Sequence, residues 1–326
     1  EINLSLTEVH YLLNPYNFTI NIKTTNPQIL LEDKSLEIKD IQTNVALKSL
    51  IYDQFLIDDV QITTKEIKIN DVIRLLRVLQ NSPKLFILDT IIKSGFVNAR
   101  INLNFDDKGN LIENYKIEGS IKKAKVNILN KVKLKNLNFN FNINKEIYSL
   151  KKLDVKLNNI KVTSPLIEIV KKKNLFFVSG KFLTDKKKFN IEELKPIFAN
   201  ISNVMDISKI EFSSKNNFSF YINENLKFNN LKVQSIIDLN QLTISQENFK
   251  LETYLPSFVK KVKLEEHKIV INYDKNQINI KGKGNILLED KLDSLSYQII
   301  QDSLGLTFDS KIKLKNNSLQ INFLKK

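Results

Sequence analysis

The sequence predicts a mainly β protein of antiparallel strands with two or three short amphipathic helices. Three observations carry that expectation. Residues 136–144 read Asn-Leu-Asn-Phe-Asn-Phe-Asn-Ile-Asn, a strict alternation. Successive strand side chains point to opposite faces, so Leu137, Phe139, Phe141 and Ile143 share an apolar face and the asparagines share the other. The same alternation returns in Ile2/Leu4/Leu6, Phe18/Ile20/Ile22, Ile101/Leu103/Phe105, Phe218/Phe220/Ile222, Ile278/Ile280 and Leu319/Ile321/Phe323. The joints between these runs are Asn, Asp and Lys clusters with little glycine.

Taken in order, Asp106-Asp107-Lys108-Gly109-Asn110 predicts a hairpin turn after Phe105. Asn158-Asn159, Asn229-Asn230 and Asn316-Asn317 are expected to turn the chain in the same way. A degenerate repeat links Leu134-Lys-Asn-Leu137, Leu150-Lys-Lys-Leu153 and Phe228-Asn-Asn-Leu231. In each, a step of three precedes a run in steps of two, which predicts a bulge or tight bend. Two segments follow a helical period instead. Val72, Leu75, Leu76 and Leu79 predict a helix over 70–82, with Asn70 or Asp71 as cap and Pro83 after its end. Leu194, Ile197, Phe198 and Ile201 predict another over 190–205, capped by Asn190, with Pro196 near enough to the start to be tolerated. Both are expected to pack on a sheet.

Composition limits the function. The 326 residues are 42% hydrophobic and 26% charged, which suits a folded chain rather than a disordered one. No apolar run reaches the 18 residues of a membrane-spanning helix. Glu1 opens the chain and no signal-peptide pattern follows, which is expected of a piece of a longer protein. The absence of cysteine rules out disulfides and thiolate chemistry. The net charge of +14 suggests nucleic acid, but Arg74, Arg77 and Arg100 are the only arginines. Arginine is the usual reader of phosphate and guanine, and the phenylalanines fall on the apolar face rather than on a basic stacking platform. No nucleic-acid partner is therefore expected.

Catalytic signals are weak. His10 has no obvious partner, and His267, after Glu265-Glu266, is expected to be exposed or in a turn. Gly282-Lys283-Gly284 lies between strand segments, unlike a phosphate loop. Asp106, Lys108 and Asn110 alternate like calcium-loop ligands, but the lysine and the missing distal Glu defeat that reading. Asp58 and Asp59 are adjacent and so face opposite ways on a strand. No catalytic residue, metal or cofactor is expected.

The remaining question is what covers the apolar face. A closed sandwich, a layer of helices or a lipid-filled groove would each serve, and two short helices are too few for so many strands. The stretch from Leu13-Asn14-Pro15-Tyr16 to Ile41 bears on this, as does the block from Lys93-Ser-Gly95-Phe96 through Gly109-Asn110 to Asn114-Tyr115-Lys-Ile-Glu-Gly119. Both resemble the AsmA-like envelope proteins, the group that includes YhdP and TamB. The resemblance implies a long curved antiparallel sheet forming an elongated, open, taco-like groove over 1–326, with a possible subdivision near 185–210. It further implies a periplasmic module, anchored in the inner membrane by a segment outside this chain. Such a module carries phospholipid between the inner and outer membranes and supports outer-membrane integrity. The expected lining is Ile101, Leu103, Phe105, Leu137, Phe139, Phe141, Ile143, Phe218, Phe220 and Ile222, facing phospholipid acyl chains. The rival expectation is a structural sandwich or solenoid, a spacer or adhesin-like module.

Overall fold

A computed structural model describes residues 2–31, 34–47, 57–80, 82–106, 108–128, 132–194, 206–223, 227–245, 254–255, 257–258, 260–315 and 317. The chain is mainly β, an open antiparallel sheet that does not close into a barrel, with a few short helices. It divides into two compact units, Glu1–Leu157 with Leu166–Lys172, and Asn158–Pro165 with Lys173–Lys326.

The first unit holds β1 (Ile2–Ser5), β2 (Glu8–Asn14), β3 (Thr19–Thr25), β4 (Gln28–Leu31), β5 (Lys34–Ala46), β6 (Ile57–Thr64) and β7 (Ile67–Lys68). Helices α1 (Ile69–Leu79) and α2 (Pro83–Ile91) follow, then β8 (Ile92–Phe105), β9 (Leu111–Ile128), β10 (Val132–Ile143) and β11 (Ile147–Leu157). Strands β2, β3, β5, β6, β8, β9, β10 and β11 pair in that order, each antiparallel to the next. Strand β4 pairs with the start of β5, and β1 with β4. β12 (Ile160–Lys172) is shared between the units. The second unit continues with β13 (Leu175–Phe189), β14 (Asp206–Asn223), β15 (Phe228–Ser245), β16 (Lys261–Asp274), β17 (Gln277–Leu287), β18 (Leu292–Asp302) and β19 (Gly305–Lys313), each paired with the next.

The turns follow their residue chemistry. The Asp106 carboxylate accepts from the N–H groups of Lys108 (2.9 Å) and Asn110 (2.8 Å), and Gly109 takes φ +76°. That carboxylate closes a turn, and the Asn110 side-chain amide, which donates to it at 3.0 Å, together with these backbone bonds holds its pKa below the usual aspartate value. Asn158 and Asn159 turn with φ +46° and +80°, and Lys275-Asn276 does the same at +49° and +66°, as tight hairpins demand. Two expectations fail. Phe18 belongs to the 15–18 turn, with φ +51°, and β3 starts after it. The Asn14 side chain, accepting from Tyr16 and Asn17 N–H, builds that turn. Asn229-Asn230 lies inside β15 and does not reverse the chain. Asn316 and the alternating run at Leu319, Ile321 and Phe323 lie outside the described residues.

Asn230 serves another purpose. The third residue of each predicted repeat takes a left-handed backbone: Asn136 at φ +52°, Lys152 at +53° and Asn230 at +52°. Register shifts accompany them, so each is a β-bulge. Lys123 (+51°) and Glu266 (+53°) take the same conformation within Ile121-Lys-Lys-Ala124 and Leu264-Glu-Glu-His267. An extra residue flips the face of everything after it. A step of three between apolar residues cancels that flip, so Leu134 and Leu137, or Leu150 and Leu153, stay on one face.

The helices depart from expectation in detail. α1 starts at Ile69, and no side chain caps it; the Asn70 amide instead donates to the Ile92 carbonyl at 3.1 Å. Its buried residues are Ile69 and Ile73, packed on Ala124, Ile121, Val97 and Leu137, while Leu76 is 42% exposed. The buried contact with the sheet is therefore made by Ile69 and Ile73, outside the predicted stripe. Pro83 ends one helix and begins the next, α2, in the first-turn position that tolerates proline. In the second unit residues 191–194 are helical. The Asn190 side chain accepts from Glu192 N–H (3.2 Å), and Glu193 reaches back to Asn190 N–H (3.4 Å), a reciprocal cap. Leu194 is buried on Ile160 and Phe189. The rest of that predicted helix, 195–205, lies outside the described residues.

Lys152→Gly is expected to stabilise the fold by about 0.5–1 kcal/mol, because glycine escapes the left-handed penalty but costs chain entropy. Lys152→Val is expected to destabilise it. Denaturant titration measures both, and equal stability in the two variants would contradict the bulge assignment.

Candidate functional site

Register shows which residues share a face. In the first unit Val9, Thr24, Ile41, Ile62, Ile101, Ile117, Ile143 and Tyr148 sit opposite one another from β2 to β11. This is a cross-strand row without a charge. A parallel row runs Tyr11, Ile22, Thr43, Val60 and Leu103. Phe105 pairs with Leu111, Phe139 with Ile121, and Leu137 with Ala124. Thus Ile101, Leu103, Phe105, Leu137, Phe139, Phe141 and Ile143 share one face, and all are half-buried. Leu137 differs in lying under α1.

Phe141 and Phe139 meet edge to face, 6.5 Å between centroids. The Phe141 ring crosses over Gly119, where an added Cβ would lie 2.7 Å from its Cζ and would also collide with the Asn98 carbonyl oxygen. The opposite face is polar. Asn21 donates to Asn44 (2.9 Å), Asn44 to Asp59 (2.8 Å) and Gln61 to Asn102 (2.9 Å). Cross-strand amide bonds of this kind satisfy the wet side.

In the second unit Gly180, Phe218, Val233, Tyr273, Ile278, Gln301 and Leu306 form one row. Phe182, Asn216, Ser235, Ile271, Ile280, Ile299 and Phe308 form the next. Phe218, Phe220 and Ile222 share this face and are half-buried. Their rings are continuous: Phe182 stacks on Phe218 at 4.8 Å, Phe218 lies 6.1 Å from Phe220, and Phe220 meets Phe228 at 5.2 Å. A polar inclusion interrupts the row, where Asn216 donates to Ser214 Oγ (2.9 Å) beside buried Ser235.

Each unit covers its apolar face at one end of the strands. In the first, α1 covers Val97, Ile121 and Leu137. In the second, the turn at 191–194 covers Phe189, Ile210 and Phe212, and Leu255 with Phe258 covers Ile286, Leu264 and Leu295. At the other ends the described residues leave apolar side chains exposed. Phe228 is 67% exposed and Leu306 69%, and Leu111 and Ile147 are also exposed. That is a large apolar surface to leave in water.

His267 contradicts the expectation of an exposed or turn histidine. It lies within β16, 1% exposed, opposite Leu239 on the apolar face. The bulge at Glu266 turns it inward. Gly284 makes room for it, since a Cβ there would collide with the ring, and Gly282 does the same for Tyr297. Nε2 lies 2.8 Å from the Asn285 carbonyl, which can only accept, so Nε2 carries the proton. Nδ1 is buried and has no hydrogen-bond partner among the described residues. Burial holds the His267 pKa below the usual value, partly offset by the Asn285 bond, and burial raises that of Tyr297. Its surface counterpart His10 lies 3.7 Å from Glu8. Among the described residues no three His, Cys, Asp or Glu side chains gather to hold a metal.

No family model, curated protein or solved structure matches this chain.

Burial of neutral His267 makes stability depend on pH. The unfolded chain takes up a proton near pH 6.5, and the folded chain only at lower pH. Stability is therefore full above the unfolded pKa and falls as pH drops toward the folded one, by at most about 1.4 kcal/mol per pH unit. In His267→Leu that part of the slope should vanish. Denaturation midpoints between about pH 5 and 7 measure it, and parallel curves for the two proteins would contradict the assignment.

Proposed function

We propose that this chain is a lipid-binding module of the AsmA-like kind, taking phospholipid acyl chains along the apolar faces of its sheet. In this reading it works in the periplasm, tethered to the inner membrane through a segment outside this chain. It passes phospholipid between the inner and outer membranes and so supports outer-membrane integrity. One observation carries the proposal: charge-free cross-strand rows run through successive strands of each unit, yet most of their inner members are only half-buried, and edge members such as Tyr11, Leu306 and Phe308 are exposed. A structural spacer gains nothing from leaving such rows uncovered.

The energetics suit loose, sliding occupancy. Each methylene withdrawn from water contributes about 0.8 kcal/mol, and a row of Ile, Val and Phe offers no directional bond to hold an acyl chain in place. The polar faces keep the headgroup side wet. Ser214, Asn216 and Ser235 form a polar step on the second unit's face.

Position 220 separates the lipid reading from the structural one. A photoreactive residue replacing Phe220 or Phe141 should crosslink lipid in membranes, while one at Ser219 or Asn140, on the opposite face, should not. Phe220→Asp should fold with a loss of only about 1–2 kcal/mol, since the carboxylate can reach water. Burying it in a sealed core would cost several kcal/mol. Unfolding of Phe220→Asp, together with no lipid adduct at 220 or 141, would replace the lipid reading with a closed structural module.

A further inference from the structure

We propose that the first unit carries a phosphate-binding site at Lys68, Lys93, Lys123 and Lys125, in a cavity of about 500 Å³ that Ser94 and Asn70 also line. The backbone builds the cavity. Three left-handed residues on adjacent strands line or border it: Gly95 on β8 (φ +143°), Lys123 on β9 (+51°) and Asn136 on β10 (+52°). Aligned bulges disrupt the ladder locally and re-aim side chains, and here they bring together lysines from positions 68 to 125.

Charge distinguishes this cavity from its surroundings. No carboxylate lines it, and among the described residues none of its four lysines forms an ion pair. Other lysines of the unit are matched: Lys65 with Glu37 (3.0 Å), Lys116 with Glu118 (2.9 Å) and Lys122 with Glu66 (2.9 Å). A neighbouring depression lined by Lys39, Lys65 and Arg100 contains Glu66 and Glu118, and is near balance. Lys93 donates one bond to the Thr90 carbonyl at 2.7 Å, leaving two of its three donors. Four ammonium groups in one cavity repel one another, and a bound dianion removes that repulsion. A tetrahedral phosphate offers several acceptor oxygens to such scattered point-charge donors. The group can arrive on a lipid headgroup or on a small soluble phosphate. The site rests on this charge and geometry alone, and the lipid reading bears only on which molecule carries the phosphate.

All four lysine side chains are exposed, so their replacement should leave the fold intact, as circular dichroism can verify. Inorganic phosphate is titrated into the protein in near-physiological salt and followed by phosphorus NMR. Lys68→Gln with Lys125→Gln should weaken binding roughly tenfold or more, while Lys65→Gln with Lys116→Gln, removing equal charge outside the cavity, should change it less than about twofold. Equal weakening by both pairs would mean diffuse charge and overturn the site, as would the absence of saturable phosphate binding. Phosphatidylcholine vesicles with and without phosphatidic acid then identify the source. Binding that needs phosphatidic acid and fails in the Lys68/Lys125 variant assigns a headgroup. Phosphate binding without vesicle binding assigns a soluble ligand. Either result upholds the site, and neither depends on acyl-chain crosslinking at 220.

Discussion

A β-strand has only two faces, and one added residue exchanges them for everything downstream. A sheet with one oily side must therefore control every irregularity, and this chain does so with a repeated device. A left-handed Lys, Asn or Glu absorbs the extra residue, and the flanking apolar pair is spaced by three instead of two. Ile121 and Ala124, Leu134 and Leu137, and Leu264 and His267 follow this rule. Without it, Phe139 and Phe141 would lose their common face with Ile101, and the rows from β2 to β11 would break. Each non-glycine left-handed residue costs about 1–2 kcal/mol, so the bulges persist against a local preference.

The bulges also locate the other features. Those at Lys123 and Asn136 lie where α1 reaches the sheet, with Ala124 buried beneath Ile69, and the four-lysine cavity opens beside them. The bulge at Glu266 puts a neutral histidine onto the apolar face, with Tyr297 stacked 6.1 Å away. Among the described residues, cover is supplied at one end of the strands in each unit and not at the other. A face that is continuous, uncharged and only partly covered is suited to a mobile apolar occupant. That is the physical basis for reading the chain as a lipid module.

Much of this fold was legible because alternation is a direct image of the pleat. Leu137-Asn-Phe139-Asn-Phe141 needs no tertiary information to assign its faces, and the step of three at Leu150-Lys-Lys-Leu153 already announced a bulge. Features set by tertiary contact were not legible. Helical spacing selected Val72, Leu75 and Leu76, but the sheet meets α1 at Ile69 and Ile73. Pro83 reads equally as a stop and as a start, which hid α2. Glu265-Glu266 reads locally as a turn, and the spacing of three between Leu264 and His267 is the one sequence signal that turns His267 inward. The lysine cavity gathers residues from four strands and a helix start, so no local window contains it.

The central claim is that the half-buried apolar faces are occupied by lipid in the native protein. Native mass spectrometry of the chain purified without detergent tests it most directly. The account predicts bound phospholipid, seen as discrete added masses that organic extraction identifies and removes, after which the chain binds an apolar dye. A lipid-free chain that also fails to bind the dye would show that its apolar faces are sealed, and would contradict it.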